Sequence, residues 1–281
     1  MRNFLLTVGL CLAVNPSAAM PAYMANFDHS LFDTLLQSYV AADGRVNYEG
    51  LRADSLHDLQ SYLEQLAGAD LKGWAYAEKL AFWINAYNAQ VLQQVLLRKK
   101  MKKLSEQPEL FDSPLPIAKG TYSLNDIERR ILRGKINKTN GHGPVPGVTL
   151  EIFDPRVHFA LSRGAAGSPR LRNFAYTPES LEATLRENSI DFVNSPKHLR
   201  VEKGRLRVSS LMRWAAEDFE IMGGSANYLS RLLDARRRPD AEKLKKLLVT
   251  QYGTAVFEFD WTVHDIRHAP TQRPRLLRAP K

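Results

Sequence analysis

The strongest expected element is a helix from about Tyr76 to Leu97, and its residue pattern limits how the rest of the chain can pack. At about 100° per residue, Leu80, Ile84, Tyr87, Val91, Leu92 and Val95 share one apolar arc. Asn88 falls in the middle of that arc, and Asn85 falls between Leu92 and Leu96. Ala89, Gln90, Gln93 and Gln94 form the opposite, polar face. Two amides are therefore expected to be buried, and a buried amide left without partners costs about 1–3 kcal/mol. Their i, i+3 spacing lets both act on one neighbouring loop. They either tie down loop backbone or hold a ligand, and the pattern favours the first.

With 281 residues, 44% of them hydrophobic, the chain can bury a full core as one large domain or two small ones. The opening MRNFLLTVGLCLAVNPSAAM combines one arginine, an apolar run from Phe4 to Val14, and small residues at Ser17, Ala18 and Ala19. That is the layout of a secretory signal cleaved after Ala19, too short to span a membrane. A soluble periplasmic or secreted product is expected. The only cysteine, Cys11, lies inside this signal, behind a Leu10 too large for a lipidation site. The mature chain then has no disulfide, thiolate zinc site or cysteine nucleophile.

The net charge of +9 is local rather than general. Arg98 to Lys103 supplies five positive charges, and the tail from Arg267 to Lys281 supplies five more with no acid. The remainder is close to neutral. Neither cluster interleaves aromatics, so neither resembles a nucleic-acid surface. Both read as solvated or disordered segments, with attraction to an anionic envelope surface as the alternative.

Helices are expected at Leu31–Val40, Leu56–Leu66, Leu211–Phe219, Ala226–Leu233 and Ala241–Tyr252. Asp43-Gly44 reads as a turn before a short strand, Arg45–Tyr48. Ser123 is placed as an N-cap with Asp126 closing a capping box. Residues from Gly134 to Gly147 hold four glycines and two prolines and read as a loop able to act as a mobile lid. Thr177 and Pro178 start a helix that runs to about Asn194. Leu199–Ser209 alternates around Lys203-Gly204 as a hairpin, while Val157–Leu161 and Val256–Val263 read as strands. The mixture without βαβ alternation gives a helix-rich, single-domain α+β fold with a small mixed or antiparallel sheet.

Several of these blocks occur together in a known order. EKLAFWINAYNAQVL, SLNDIERRILR, DPRVHFAL and the loop to Leu171 come first, followed by AYTPESLEATL, LMRWAAEDF and FEFDW. The chain from about Asp28 to Asp265 thereby resembles the domain of unknown function 547 family. The resemblance brings no established activity. It implies two cysteines, five positions apart, in the loop after HFAL, and here those positions are Arg163 and Ser168. Any mechanism needing a thiolate there cannot operate in this chain.

The chemistry-bearing candidates converge on that loop. On a strand, His158 shares a face with the small Ala160 and Ser162, which leaves room for a partner. If Val256–Val263 pairs beside it, Asp260 orients His158 and makes the base half of a triad. Ser168 is the corresponding nucleophile, but Pro169 has no N–H for an oxyanion, and Ser-Pro suits a helix cap better. Glycines 164 and 167 permit a turn that exposes N–H groups to an anion, with Arg163 and Arg170 beside it. His264 and His268 have i, i+4 spacing without the acid a metalloprotease needs. No metal or cofactor is expected. The leading expectation is a binding or structural module whose loop, Gly164 to Arg172, docks a small-molecule or protein ligand. The alternative is a hydrolase or acyl-transfer enzyme using His158 and Asp260, with Ser168 or water as nucleophile.

Overall fold

The computed structural model describes residues 27–98, 100–134, 143–252 and 256–268. The expected signal, most of the Gly134–Gly147 loop and the tail beyond His268 lie outside the described residues. The fold is helix-rich α+β. Helices α1 (Ser30–Tyr39), α2 (Tyr48–Asp54) and α3 (Leu56–Gly68) lead into the long α4 (Tyr76–Leu97). An antiparallel hairpin, β1 (Leu115–Ile117) and β2 (Gly120–Tyr122), precedes the short α5 (Leu124–Asp126), which continues as a π-helical turn, Ile127–Leu132. Then follow α6 (Leu181–Asn194), the hairpin β3 (Leu199–Glu202) and β4 (Arg205–Ser209), and α7 (Ser210–Trp214). Helices α8 (Ser225–Leu232) and α9 (Ala241–Gln251) precede β5 (Val256–Phe257), which joins β4 in parallel to complete a three-stranded sheet. Among the described residues no helix is long and apolar enough to cross a membrane.

α4 forms where the pattern places it, but it has no polar face. Ala89, Gln90 and Gln94 are as buried as the apolar arc, because neighbours cover them too, and of the expected polar face only Gln93 stays partly exposed. Gln94 meets this burial by accepting from Arg98 Nη1 at 2.6 Å. Capping at Ser123 also follows the sequence: its Oγ accepts from Asp126 N at 3.0 Å, and Asp126 Oδ2 accepts from Ser123 N at 3.0 Å. The Lys203-Gly204 turn takes left-handed φ values of 49° and 77°, as a tight hairpin requires.

Other elements depart from expectation for local reasons. Val157–Leu161 is not a strand but part of a 3-10 turn, Pro155–Phe159. Asp154 Oδ1 accepts from Arg156 N at 2.9 Å and Pro155 occupies the first turn, so Asp-Pro acts as a helical start. The Val256–Val263 strand shrinks to Val256–Phe257, with isolated bridges of Thr262 to Lys103 and Val263 to Ala165. Arg45–Tyr48 keeps only the bridges of Val46, since Asn47 caps α2 by accepting from Gly50 N at 2.9 Å. Leu211–Phe219 breaks into α7 and a 3-10 turn, Ala216–Met222. The helix expected from Thr177 begins only at Leu181.

The β1–β2 hairpin was not legible because its turn carries Ala118 and Lys119 at φ 51° and 57°, without glycine at either position. Their N–H groups donate to Leu66 O and Ala67 O at 2.8 Å, satisfying carbonyls left open at the end of α3.

The core divides into two clusters. One surrounds α4 and includes Val157, Ala160 and Leu161; the other joins α6, the larger sheet, α8 and α9, and includes Phe159. The Pro155–Phe159 turn therefore has apolar side chains in both.

Candidate functional site

The two amides of α4 act on the backbone of the opposing loops. Asn85 Nδ2 donates to Tyr176 O at 2.8 Å, and its Oδ1 accepts from Tyr176 N at 2.9 Å. Asn88 Nδ2 donates to Ala160 O at 3.0 Å, and its Oδ1 accepts from Ser162 N at 2.9 Å. Each amide thus has a donor and an acceptor matched inside the core, holding both flanks of the segment from Ser162 to Tyr176.

Within that segment the glycines turn N–H groups inward. Ala166 N donates to Thr262 O and Gly167 N to Asp260 O, both at 2.7 Å, and Ser168 N donates to Ala165 O at 3.0 Å. These groups serve the protein rather than an anion. Gly164 sits at φ 72°, and a Cβ on Gly167 would stand 2.7 Å from Asp260 N. The loop therefore pairs with the stretch containing Asp260, the position expected for the 157–161 segment.

Ser168 is fully buried, and no helix follows it before Leu181, so it does not cap one. Its Oγ instead accepts from Arg163 N at 3.1 Å. Arg163 and Ser168, the two loop positions singled out by the resemblance, are thus in contact. The Arg163 guanidinium is held by Glu128, with Nη2 to Oε1 at 2.6 Å and Nη1 to Oε2 at 2.9 Å. Glu128 comes from the π-helical turn, and the pair joins that turn to the loop.

His158 does not meet Asp260. Its Nε2 lies 2.7 Å from Asp218 Oδ2, while Asp218 Oδ1 accepts from Arg133 Nη2 at 2.7 Å. His158 and Asp218 are nearly inaccessible, and the Phe153 and Phe219 rings flank the imidazole. Burial works to raise the Asp218 pKa, but the hydrogen bonds and charges of His158 and Arg133 outweigh it and hold the carboxyl below its usual range. Sequence reasoning missed Asp218 because the contact requires the 216–222 turn to pack across the 155–159 turn. Asp260 Oδ1 accepts instead from Thr262 N at 2.9 Å. The triad His158, Asp260 and Ser168 is not assembled.

A cleft of about 860 Å³ lies beside the loop. Ala166, Gly167, Pro169, Arg170 and Arg172 form one wall, and the end of α6 with the turn Ser195–His198 forms another. Asp260 and Arg170 line it; His158, Ser168, Asn85, Asn88 and Arg163 do not. Most cations around the cleft already have partners. Arg170 pairs with Asp191, Arg45 with Asp43 at 2.7 Å, and Arg172 Nη2 lies 3.0 Å from Asp191. Arg200 is only 3.9 Å from Glu202 and stacks 4.2 Å from the Phe257 ring centroid.

Lys197 differs from these arginines. Its Nζ donates to Ser168 O at 2.9 Å, and among the described residues no carboxylate lies within salt-bridge distance. Burial pushes its ammonium down to about 8, against the weaker opposing pull of Asp260 and Asp43. Two imidazoles share the cleft. His264 is lowered to about 4, mainly by burial and then by the Lys197 charge. His198 is driven well down, by burial first and then by Lys197 and His264. Both rings are neutral at pH 7. His198 stacks on Phe192 at 4.0 Å and makes no side-chain hydrogen bond among the described residues.

Among the described residues no group of three or more His, Cys, Asp or Glu is placed to hold a metal ion. His268 Nδ1 is engaged by Val263 O at 2.9 Å, away from any shared site with His264.

Comparison with known proteins gives a family likeness over part of the chain and no activity. No curated protein and no solved structure matches the chain. Residues 71–193 match the family model described as "Protein of unknown function, DUF547". The matched segment takes in α4 with Asn85 and Asn88, the 163–172 loop and nearly all of α6, and over these residues the chain is similar to the DUF547 family.

Proposed function

We propose that this protein is an exported binding module of the cell envelope, taking a small anionic ligand with an apolar body in the cleft beside the 163–172 loop. The observation that supports this most strongly is Lys197, a half-buried cation in the cleft with no carboxylate partner among the described residues. Phe159, Phe192, Phe257 and Phe259 line the same space and suit an apolar or aromatic body. A volume of about 860 Å³ fits a small molecule rather than a protein partner. Export rests on the apolar run Phe4–Val14 followed by Ser17, Ala18 and Ala19. The basic residues of Arg98–Lys103 and the C-terminal tail supply attraction to an anionic envelope surface.

The binding reading is tested by titrating the folded protein with 8-anilinonaphthalene-1-sulfonate, which carries a sulfonate on an aromatic body. Saturable binding of one dye per chain, displaced by benzoate but not by benzyl alcohol, is expected. Displacement by both alike would remove the anionic requirement. Export is tested by expressing the full chain in a Gram-negative host. A periplasmic product beginning at Met20 is expected, and an uncleaved cytosolic chain would contradict it.

A further inference from the structure

We propose that Lys197 captures the carbonyl carbon of an aldehyde or ketone that also bears a carboxylate or phosphate, holding it as an imine. This rests on the binding reading above and names the ligand's reactive group.

The geometry provides an amine, proton carriers and an anion contact in one cleft. Lys197 Nζ makes a hydrogen bond to Ser168 O, a neutral acceptor anchored in a fully buried residue. The lysines most prone to act as nucleophiles are those desolvated without a carboxylate to fix the ammonium form. Burial has that effect here, holding the group at about 8. Roughly a tenth of such an amine is free base at pH 7, against well under a thousandth for an ordinary lysine. His198 and His264 line the same cleft as neutral imidazoles, able to take a proton and return it. Arg200, whose nearest carboxylate is 3.9 Å away, is placed to meet the ligand's anionic group.

The step needs no oxidant or reductant. The Nζ lone pair forms the C–N bond, and the carbonyl π pair moves to oxygen. A neutral imidazole takes a proton from nitrogen and delivers it to that oxygen, giving a carbinolamine. The C–O bond then breaks, the hydroxyl leaves with the remaining nitrogen proton as water, and C=N forms. Hydrolysis reverses the sequence, so capture is reversible.

Reductive trapping tests this directly. The protein is incubated at neutral pH with 4-carboxybenzaldehyde and sodium cyanoborohydride, and adducts are located by peptide mass spectrometry. A parallel arm uses 4-formylphenyl phosphate to show which anion is preferred, and benzaldehyde serves as the neutral comparator. Lys197 is expected to label roughly tenfold faster than the exposed Lys72 and Lys243, and at least one anionic aldehyde should react faster than benzaldehyde. Lys197→Arg keeps the charge but cannot form the imine. It should lose the adduct at position 197, with its urea unfolding midpoint showing that the variant is folded. Labelling spread evenly over the exposed lysines would overturn the inference. Dye binding without a Lys197 adduct would remove imine capture alone. Loss of both in the wild-type protein would remove the binding reading as well.

Discussion

His158 and Asp218, 60 residues apart in sequence, meet at 2.7 Å between Nε2 and Oδ2 in the interior. The contact connects the turn that reaches both apolar clusters with the turn after α7, and Arg133 completes it from beside the π-helical turn. It makes His158 a structural latch. Removing one member of a buried charged group leaves the others uncompensated, at a cost of about 3–5 kcal/mol. Asp218→Ala should lower unfolding stability by that amount in urea titration, while Asp218→Asn, which keeps one acceptor, should cost less. Equal midpoints for wild type and Asp218→Ala would show that the latch carries no stability.

The same carboxylate sets a pH dependence. Its folded pKa is depressed below the ordinary 3.8, so its contribution is fully present above that value and is lost as pH falls through the folded pKa. The stability gap between wild type and Asp218→Asn should therefore be constant from pH 7 to about 5 and shrink below about 4. Urea midpoints measured across this range provide the check; a gap that widened on acidification would contradict the assignment.

Asn85 should matter for folding and not for ligand affinity. Asn85→Ala strands the buried N–H and C=O of Tyr176, a loss of about 2–4 kcal/mol for the pair. Because Asn85 lies outside the cleft lining, dye affinity of the folded protein should stay unchanged. A tenfold affinity loss at unchanged stability would return Asn85 to the ligand site.

Lys197 predicts a second pH dependence, in binding. Its ammonium is the attractive form for an anion, and it is lost as pH rises through about 8. Affinity for 8-anilinonaphthalene-1-sulfonate should fall between about pH 7 and 9 in the wild type and stay flat in Lys197→Arg. Identical profiles for the two would exclude Lys197 as the titrating group.

Much of the framework was legible in local patterns. The long helix, the Ser123 capping box and the Lys203-Gly204 hairpin each follow from adjacent residues, and the polar duty of Asn85 and Asn88 follows from the wheel. What failed depended on tertiary cover or unusual turn chemistry. Gln90 and Gln94 read as exposed because nothing in their neighbourhood reveals that the helix is enclosed. Ala118 and Lys119 gave no turn signal because the carbonyls of α3 stabilise an uncommon conformation. The site was only half visible: Arg170 and Asp260 line the cleft as candidates drawn from the loop and the final strand. Lys197, His198 and His264 became a group only when the hairpin start and the 257–264 segment came together. Asp218 lay in a recognised block, but its partner depends on how two 3-10 turns pack.

Fluorescence titration of 8-anilinonaphthalene-1-sulfonate against wild type and Lys197→Met at pH 7 decides whether the cleft is an anion-binding site centred on Lys197. One site per chain is expected, weakened about tenfold in the variant, the equivalent of about 1.4 kcal/mol, with the unfolding midpoint showing that the variant is folded. Undiminished affinity in folded Lys197→Met would contradict it.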